Sequence, residues 1–346
     1  MSSTIETIKK NIHNKAAVTI RAPGKLILSG EHAVVYGNPG LAMAINYHLV
    51  TRVTANSWGK YFVNITEVAQ KYRFDYFDLL AVKSDKTLRR PINLIQYAII
   101  IALDHLKIGY AHADTLGLEF KIDSNLPIGA GLGSSAALII SVMKGLFKFF
   151  NVSVHPEQLL ELAKQAEDMQ HGKSSGLDLF MSLMGGVYHY QGQTRTPLSF
   201  PKDWNLWMIN TGRSRSTTAE CVQAVAPHMN PERLKAFECV TEKMHQAILK
   251  TNAESFSEAI FENQVLLNEI GIVPEKVQNL IAELKADGIP AKICGAGHVG
   301  EGDRAGAVLA FNLSPDWILK FTESSMYRPY TLHKVEIEPH GAMVIV

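Results

Sequence analysis

The chain has 346 residues, of which 47% are apolar and 19% charged, with a formal net charge of +1. That length predicts two globular domains. The balanced charge excludes a bulk attraction to nucleic acid or an acidic membrane. Cys221, Cys239 and Cys294 are too widely spaced for a metal motif or a disulfide framework. They favour a reducing, cytoplasmic setting, with each cysteine expected to act as a small buried apolar residue. The N-terminal segment has no continuous apolar run of the kind a signal peptide carries. No stretch reaches the ~18 apolar residues of a membrane span.

Taken in chain order, residues 17–29 read as a strand broken at Pro23-Gly24, and 41–54 as a second strand after a turn rich in Gly, Asn and Pro. A helix is expected over 92–107 and an alternating strand over 116–123. Residues 134–150 are apolar nearly all round, which predicts a helix buried on most sides. Pro156 opens an amphipathic helix over 157–170. Strands are expected over 185–190 and 205–211, and helices over 231–250, 254–270 and 274–286. Strand-like segments at 305–312, 330–337 and 342–346 close the chain. The order is mixed α+β in both halves, with a boundary near residue 200 that separates domains 1–200 and 201–346.

The run Pro127-Ile128-Gly129-Ala130-Gly131-Leu132-Gly133-Ser134-Ser135 leads into the apolar helix. Three alternate glycines keep bulk out of the loop. The helix start adds unpaired N–H groups and a partial positive charge, a combination that suits a polyphosphate. A flexible turn before a buried helix reads equally well from this segment alone. It is not a P-loop, because no lysine precedes the serine pair. A nucleotide held here would need its cation from elsewhere in the chain.

Three charged residues sit where burial is expected. Glu167 falls within the apolar stripe of its helix, so it is neutral, paired or bound to a metal, or else reaches solvent from the edge of the stripe. Asp178 stands between a polar turn and an apolar run, as either a helix cap or a base. Lys25 interrupts the apolar run of the first strand and is the type of cation the glycine loop lacks, although a strand lysine is more often a solvated edge residue. Glu31-His32 follows at the end of the same strand and also reads as a polar turn. Gly295-Ala296-Gly297-His298-Val299-Gly300 fits the spacing of a dinucleotide fingerprint. A strand-like segment follows it instead of a helix, so it is rejected as one. Ser141-Val142-Met143-Lys144 lies inside a buried helix without companion motifs, and no H-E-x-x-H occurs among the 13 histidines.

Arg21-Ala22-Pro23-Gly24-Lys25-Leu26 through Gly37, the glycine loop 127–137, and Lys292-Ile293-Cys294-Gly295-Ala296-Gly297 follow one another in an order that resembles the GHMP kinase superfamily. Gly30-Glu31-His32-Ala33-Val34-Val35, the set Glu167, His171-Gly172, Ser175-Gly176 and Asp178, and Asn210-Thr211 with Arg215-Ser216-Thr217 are most similar to its mevalonate-phosphorylating members. The resemblance implies a two-domain α+β fold: an N-terminal half like domain 2 of ribosomal protein S5 and a ferredoxin-like C-terminal half. It also implies ATP- and Mg²⁺-dependent phosphorylation of the primary hydroxyl of mevalonate. The alternatives are another small-molecule kinase of the superfamily, such as one acting on phosphomevalonate, or a non-catalytic sensor of the same fold. By resemblance Asp178 is the catalytic base and Lys25 its cationic partner, and which of the two drives deprotonation stays open. Gly129, Ala130, Gly131, Leu132, Gly133, Ser134 and Ser135 would wrap the ATP phosphates. Ser135 and Glu167 would hold Mg²⁺, and Glu31, His32 and Thr217 would border the acceptor. A homodimer is compatible with this reading. The third glycine segment departs from the family: His298 to Gly306 is bulkier and more charged than the glycine-rich run usual there.

Overall fold

The computed structural model describes residues 15–84, 91–108, 116–127, 129–171 and 174–345. Ile128 of the glycine loop, Gly172-Lys173 and the N-terminal segment 1–14 lie outside the described residues, as do the side chains of Gln170 and His171. Strands β1 (Val18–Ser29), β2 (Gly40–Asn56), β3 (Tyr61–Ile65) and β4 (Gln70–Phe74) precede helices α1 (Tyr76–Ser84) and α2 (Pro91–His105). Then come β5 (Gly117–Ser124), α3 (Ser134–Phe149), α4 (Pro156–His171), α5 (Leu177–Met184), β6 (Val187–Gln191) and β7 (Thr194–Pro197). The later part comprises β8 (Leu206–Asn210), α6 (Thr218–Val225), α7 (Pro231–Leu249), α8 (Ala253–Glu269), α9 (Glu275–Ala286), β9 (Ala291–Ile293), β10 (Ala307–Phe311), α10 (Pro315–Glu323), β11 (Thr331–Val335) and β12 (Met343–Ile345).

Two sheets organise these elements. The larger has eight strands in the order β12-β1-β2-β5-β3-β4, with β6 on β2 and β7 on β6. The smaller has four antiparallel strands in the order β11-β8-β10-β9. In chain order that is 4-1-3-2 with helices between the strands, the ferredoxin-like arrangement. β12 is the exception to a simple division of the chain, because the last strand returns to pair with β1 in the first sheet. The cores are similarly shared: Val240 and Met244 of α7 and Phe256 of α8 pack into the first core, whereas Phe237, Leu267 and Ile293 belong to the second.

β1 is continuous where the sequence predicts a break. Pro23-Gly24 marks a register shift against β2, and a second shift falls between Ile27 and Ser29. Its last eight residues are all buried. A strand covered on both faces reads as an unbroken apolar run, so Lys25 within it is an interior residue and not a solvated edge. α3 packs on β1 and β2 and against α2, α4 and α5. Gly145 makes the α3 packing possible, since a Cβ there would stand 2.9 Å from Val53. Cys221 and Cys294 are buried and Cys239 is exposed, which corrects the expectation of three buried thiols. Cys239 lies on the outward side of the amphipathic α7, so no apolar neighbour covers it. Among the described residues no helix is long and apolar enough to cross a membrane.

Candidate active site

Three glycine-bearing segments, far apart in the chain, meet at one place. The Lys25 backbone N–H donates to Leu132 O at 2.9 Å, and Lys25 Nζ donates to Gly131 O at 3.0 Å. Gly24 allows this approach, because a Cβ there would lie 2.8 Å from Leu132 O. On its other side the loop touches the third segment: Gly131 and Gly295 pack backbone to backbone, and a Cβ on either would crowd the other chain at 3.0–3.3 Å. Ala130 O accepts from Ala307 N at 2.9 Å, which ties the loop to β10. His32 Nε2 donates to Ala296 O at 3.1 Å, bringing the end of β1 to the same segment.

The cation missing from the loop is Lys25. Its side chain is 3% exposed, and Nζ lies 3.2 Å from Asp178 Oδ2. Asp178 occupies the first turn of α5, behind Gly176, which starts the helix in the left-handed region without a side-chain cap. Asp178 is therefore not the capping residue. A third of its side chain remains open to solvent. Glu167 is buried on α4, and among the described residues no cationic side chain pairs with it. Burial, reinforced by the charge of Asp178, pushes its carboxyl up to about 7.

These features match the chemical needs of a magnesium nucleotide. α3 starts at Ser134 behind Gly133, whose φ is +76° and which supplies no side-chain cap. The first N–H groups of the helix are thus left for an anion. A Cβ at Gly133 would press on the Lys25 stem at 3.0 Å, so the loop and its cation fit only with glycine there. Glu167 is a buried carboxylate without a cation, and together with Asp178 and the Ser135 hydroxyl it offers hard oxygen donors of the kind Mg²⁺ takes.

The remaining expected residues lie differently. Glu31 is fully buried and points into the interior, where it forms an ion pair with Lys292 of β9. Lys292 Nζ also donates to Ile293 O at 2.8 Å, while Glu31 Oε2 has no partner. Burial raises the Glu31 carboxyl pKa despite the ammonium beside it. His32 sits at φ +59°, and burial lowers its pKa to about 4. Its Nδ1 has no partner. Thr217 is exposed and starts α6 in a reciprocal cap: Glu220 N donates to Thr217 Oγ1, and Thr217 N donates to Glu220 Oε2 at 2.7 Å.

Four residues beside the loop were given no site role in the sequence reading, although Arg215 stands in a matching motif and His298 and Arg304 in the atypical third segment. Arg213, Arg215, Arg304 and His298 line a cavity of about 310 Å³. Arg213 packs against Gly129, whose Cβ would lie 2.4 Å from its stem. His298 is buried, with Ser214 Oγ and Ser216 Oγ at 3.1 and 2.9 Å from Nδ1. Lys292 carried the same signal as Lys25, a lysine inside an apolar strand. Arg213 carried none, because an isolated arginine in a loop is the ordinary case.

The profile of the GHMP kinases N-terminal domain matches residues 93–186, and that of the GHMP kinases C-terminal domain matches 244–298. A mevalonate kinase of Archaeoglobus fulgidus is 34% identical over 284 residues, covering 81% of this chain and 89% of the relative. One of Pyrococcus horikoshii is 29% identical, covering 82% and 87%. The crystal structure of the Methanococcus jannaschii mevalonate kinase shares the fold at a TM-score of 0.76 with 22% identity, over 93% of this chain and 99% of that one. Convergence of the three glycine segments on Lys25 and Asp178, with a sequence match running through both halves, makes this chain a member of the mevalonate kinase family of GHMP kinases.

Proposed function

We propose that the chain transfers the γ-phosphoryl group of ATP to the primary hydroxyl of mevalonate. The observation that carries this reading is the Lys25–Asp178 pair at the rim of an uncapped glycine loop and helix start. Phosphoryl transfer depends on positioning and charge stabilisation more than on covalent chemistry. Gly129 to Ser135 bind the phosphates through backbone N–H groups. Lys25 directs its ammonium between the loop and Asp178. Asp178 presents its solvent-open oxygen to the acceptor and takes the hydroxyl proton as the new O–P bond forms. The β–γ bridging P–O bond breaks and ADP leaves. Ser135 and Glu167 would hold Mg²⁺, which when bound neutralises phosphate charge.

The acceptor is an anion, and the arginine cavity beside Gly129 offers it a counter-charge. Glu31 and His32 shape the acceptor side from behind, through Lys292 and Ala296. We place the division into an ATP-binding half and a second half near residue 200, with β12 returning to the first. A second reading, phosphorylation of phosphomevalonate, draws on the same cavity, because three arginines suit an additional phosphate. A coupled assay of ATP consumption against mevalonate, phosphomevalonate, galactose and homoserine decides. Mevalonate is expected to give the largest kcat/KM, and a larger value for phosphomevalonate would replace the first reading by the second.

A further inference from the structure

One cluster of side chains includes none of the residues assigned to phosphoryl transfer. His189 projects from β6 toward α7, where Glu242 and His245 stand one helical turn apart. One donor atom from each lies within 4.8 Å of the other two, the one such grouping among the described residues. His189 Nε2 is 3.7 Å from Glu242 Oε2, and His245 Nδ1 is 3.3 Å from Glu242 Oε1. The two imidazoles stack with centroids 4.4 Å apart and planes 21° from parallel. His189 Nε2 is buried without a hydrogen-bond partner. Gln246, a further residue along the helix, donates to Glu242 Oε1 at 2.9 Å and fixes that carboxylate from outside.

We propose that His189, Glu242 and His245 form a binding site for a divalent transition metal of the zinc class. Two imidazoles and a carboxylate are a ligand set that zinc accepts, with a fourth position left for water. Hard Mg²⁺ prefers an all-oxygen shell, so this site and the phosphate site select different ions. A tetrahedral zinc ion with bonds of about 2.1 Å holds its donors roughly 3.4 Å apart. The shortest donor pair already has that spacing, and the stacked rings have to turn for both lone pairs to meet one ion. Glu242 is half-exposed, which provides entry for the ion and room for the water. Gln246 is the outer partner that metal-bound carboxylates typically have.

The position gives such an ion a mechanical role. β6 belongs to the first sheet, whereas α7 lies in the second half of the sequence and leans on the end of β1, where Thr241 Oγ1 meets Ser29 Oγ at 2.7 Å. A metal shared by His189, Glu242 and His245 staples α7 to the strand beside it.

The test uses the full-length protein, stripped with a chelator and titrated with Zn²⁺, Co²⁺ or Mg²⁺. Calorimetry is expected to show one zinc per chain, with a rise in thermal midpoint that Mg²⁺ does not produce. His245→Gln and His189→Gln should each weaken zinc binding at least tenfold and abolish the midpoint rise. Undiminished zinc binding in both variants would overturn the site. If a variant fails to fold, the wild-type cobalt spectrum decides. Intense visible bands of a four- or five-coordinate nitrogen–oxygen site support the proposal. A purely octahedral spectrum, or a thiolate charge-transfer band pointing to the exposed Cys239, overturns it.

Discussion

Lys25 and Lys292 are both lysines buried in strands, and each meets one carboxylate. Lys25 faces Asp178, which keeps a third of its side chain in solvent. Lys292 faces Glu31, and both side chains are sealed from water. The first pair leaves an oxygen free for something that arrives, so its geometry suits a reaction. The second leaves nothing accessible and joins β9 of the small sheet to the end of β1, so its geometry suits assembly of the two halves. Glu167 completes the contrast. It is buried too, yet among the described residues no cation pairs with it. Burial without a partner raises a carboxylate's pKa and destabilises its charged form, and a metal ion supplied from solution would relieve that cost.

Removing the reactive oxygen is the sharpest way to separate the two pairs. Asp178→Asn is expected to lower kcat by about 10²- to 10⁴-fold, with ATP binding close to wild type. Steady-state kinetics and nucleotide titration check this, and near-normal turnover would end the assignment of Asp178 as the proton acceptor. The other pair should respond in stability. Lys292→Met leaves a buried carboxylate without its counter-ion, which costs about 3–5 kcal/mol. Lys292→Met combined with Glu31→Leu should recover most of that loss in urea unfolding, because two apolar side chains need no compensation. A single variant as mild as a surface substitution would show that the ion pair does not hold the halves together.

Glu167 is expected to act through pH. Its carboxyl titrates at about 7 in the native state against the ordinary value of 4.5. Between those values the native state holds a proton that the unfolded chain has lost, so stability falls as pH rises through that window. His32 works in the opposite sense. Its native pKa is about 4 against 6.5, so the unfolded chain takes up its proton first and stability falls as pH drops from 6.5 toward 4. Each slope amounts to roughly 3 kcal/mol over its window, and the two oppose each other between 4.5 and 6.5. The Glu31 carboxyl, also raised by burial, adds a slope of the same sign as that of Glu167. Glu167→Gln should raise stability above pH 7 and raise the Mg²⁺ concentration needed for turnover. Urea midpoints from pH 4 to 8 and a metal titration test both parts. A Glu167→Gln profile that coincides with the wild type would show that Glu167 carries no slope.

Much of this site was legible because its residues break local rules. A lysine in a covered strand and a glutamate inside an apolar stripe are visible from periodicity alone, and both are buried, although periodicity alone left a solvated position open for each. The glycine loop stood out because no large side chain could enter it, although a flexible turn read equally well from that segment. The partners were not legible. Nothing local in Glu31-His32 indicates that Glu31 turns inward to a lysine 261 positions later. β3, β4 and α1 escaped the sequence reading because β4 is largely exposed and shows no alternation. α5 escaped because eight residues, apolar after Asp178 apart from Ser182, are too few to display a helical period. The dinucleotide-like run 295–300 was correctly rejected: an irregular segment and then β10 follow it.

Thr217 allows the finest comparison, between a group placed by the fold and one placed for a ligand. Its hydroxyl accepts from Glu220 N and donates to Glu220 Oε2 at 2.9 Å, so both its hydrogen-bonding functions are already engaged in starting α6. A hydroxyl whose main role is that cap predicts a definite pattern. Thr217→Val should cost about 1 kcal/mol of stability, and Thr217→Ser, which keeps the oxygen, should restore it. KM for mevalonate should follow the same order only weakly, because the cap sets where the preceding Arg215 and Ser216 stand. A hydroxyl that instead bonds the acceptor directly predicts the reverse weighting: little change in the unfolding midpoint and a large rise in KM for Thr217→Val. Measuring unfolding and KM on the same two variants separates the cases, because a cap and an acceptor contact both lose the oxygen but only the cap shows the loss without substrate.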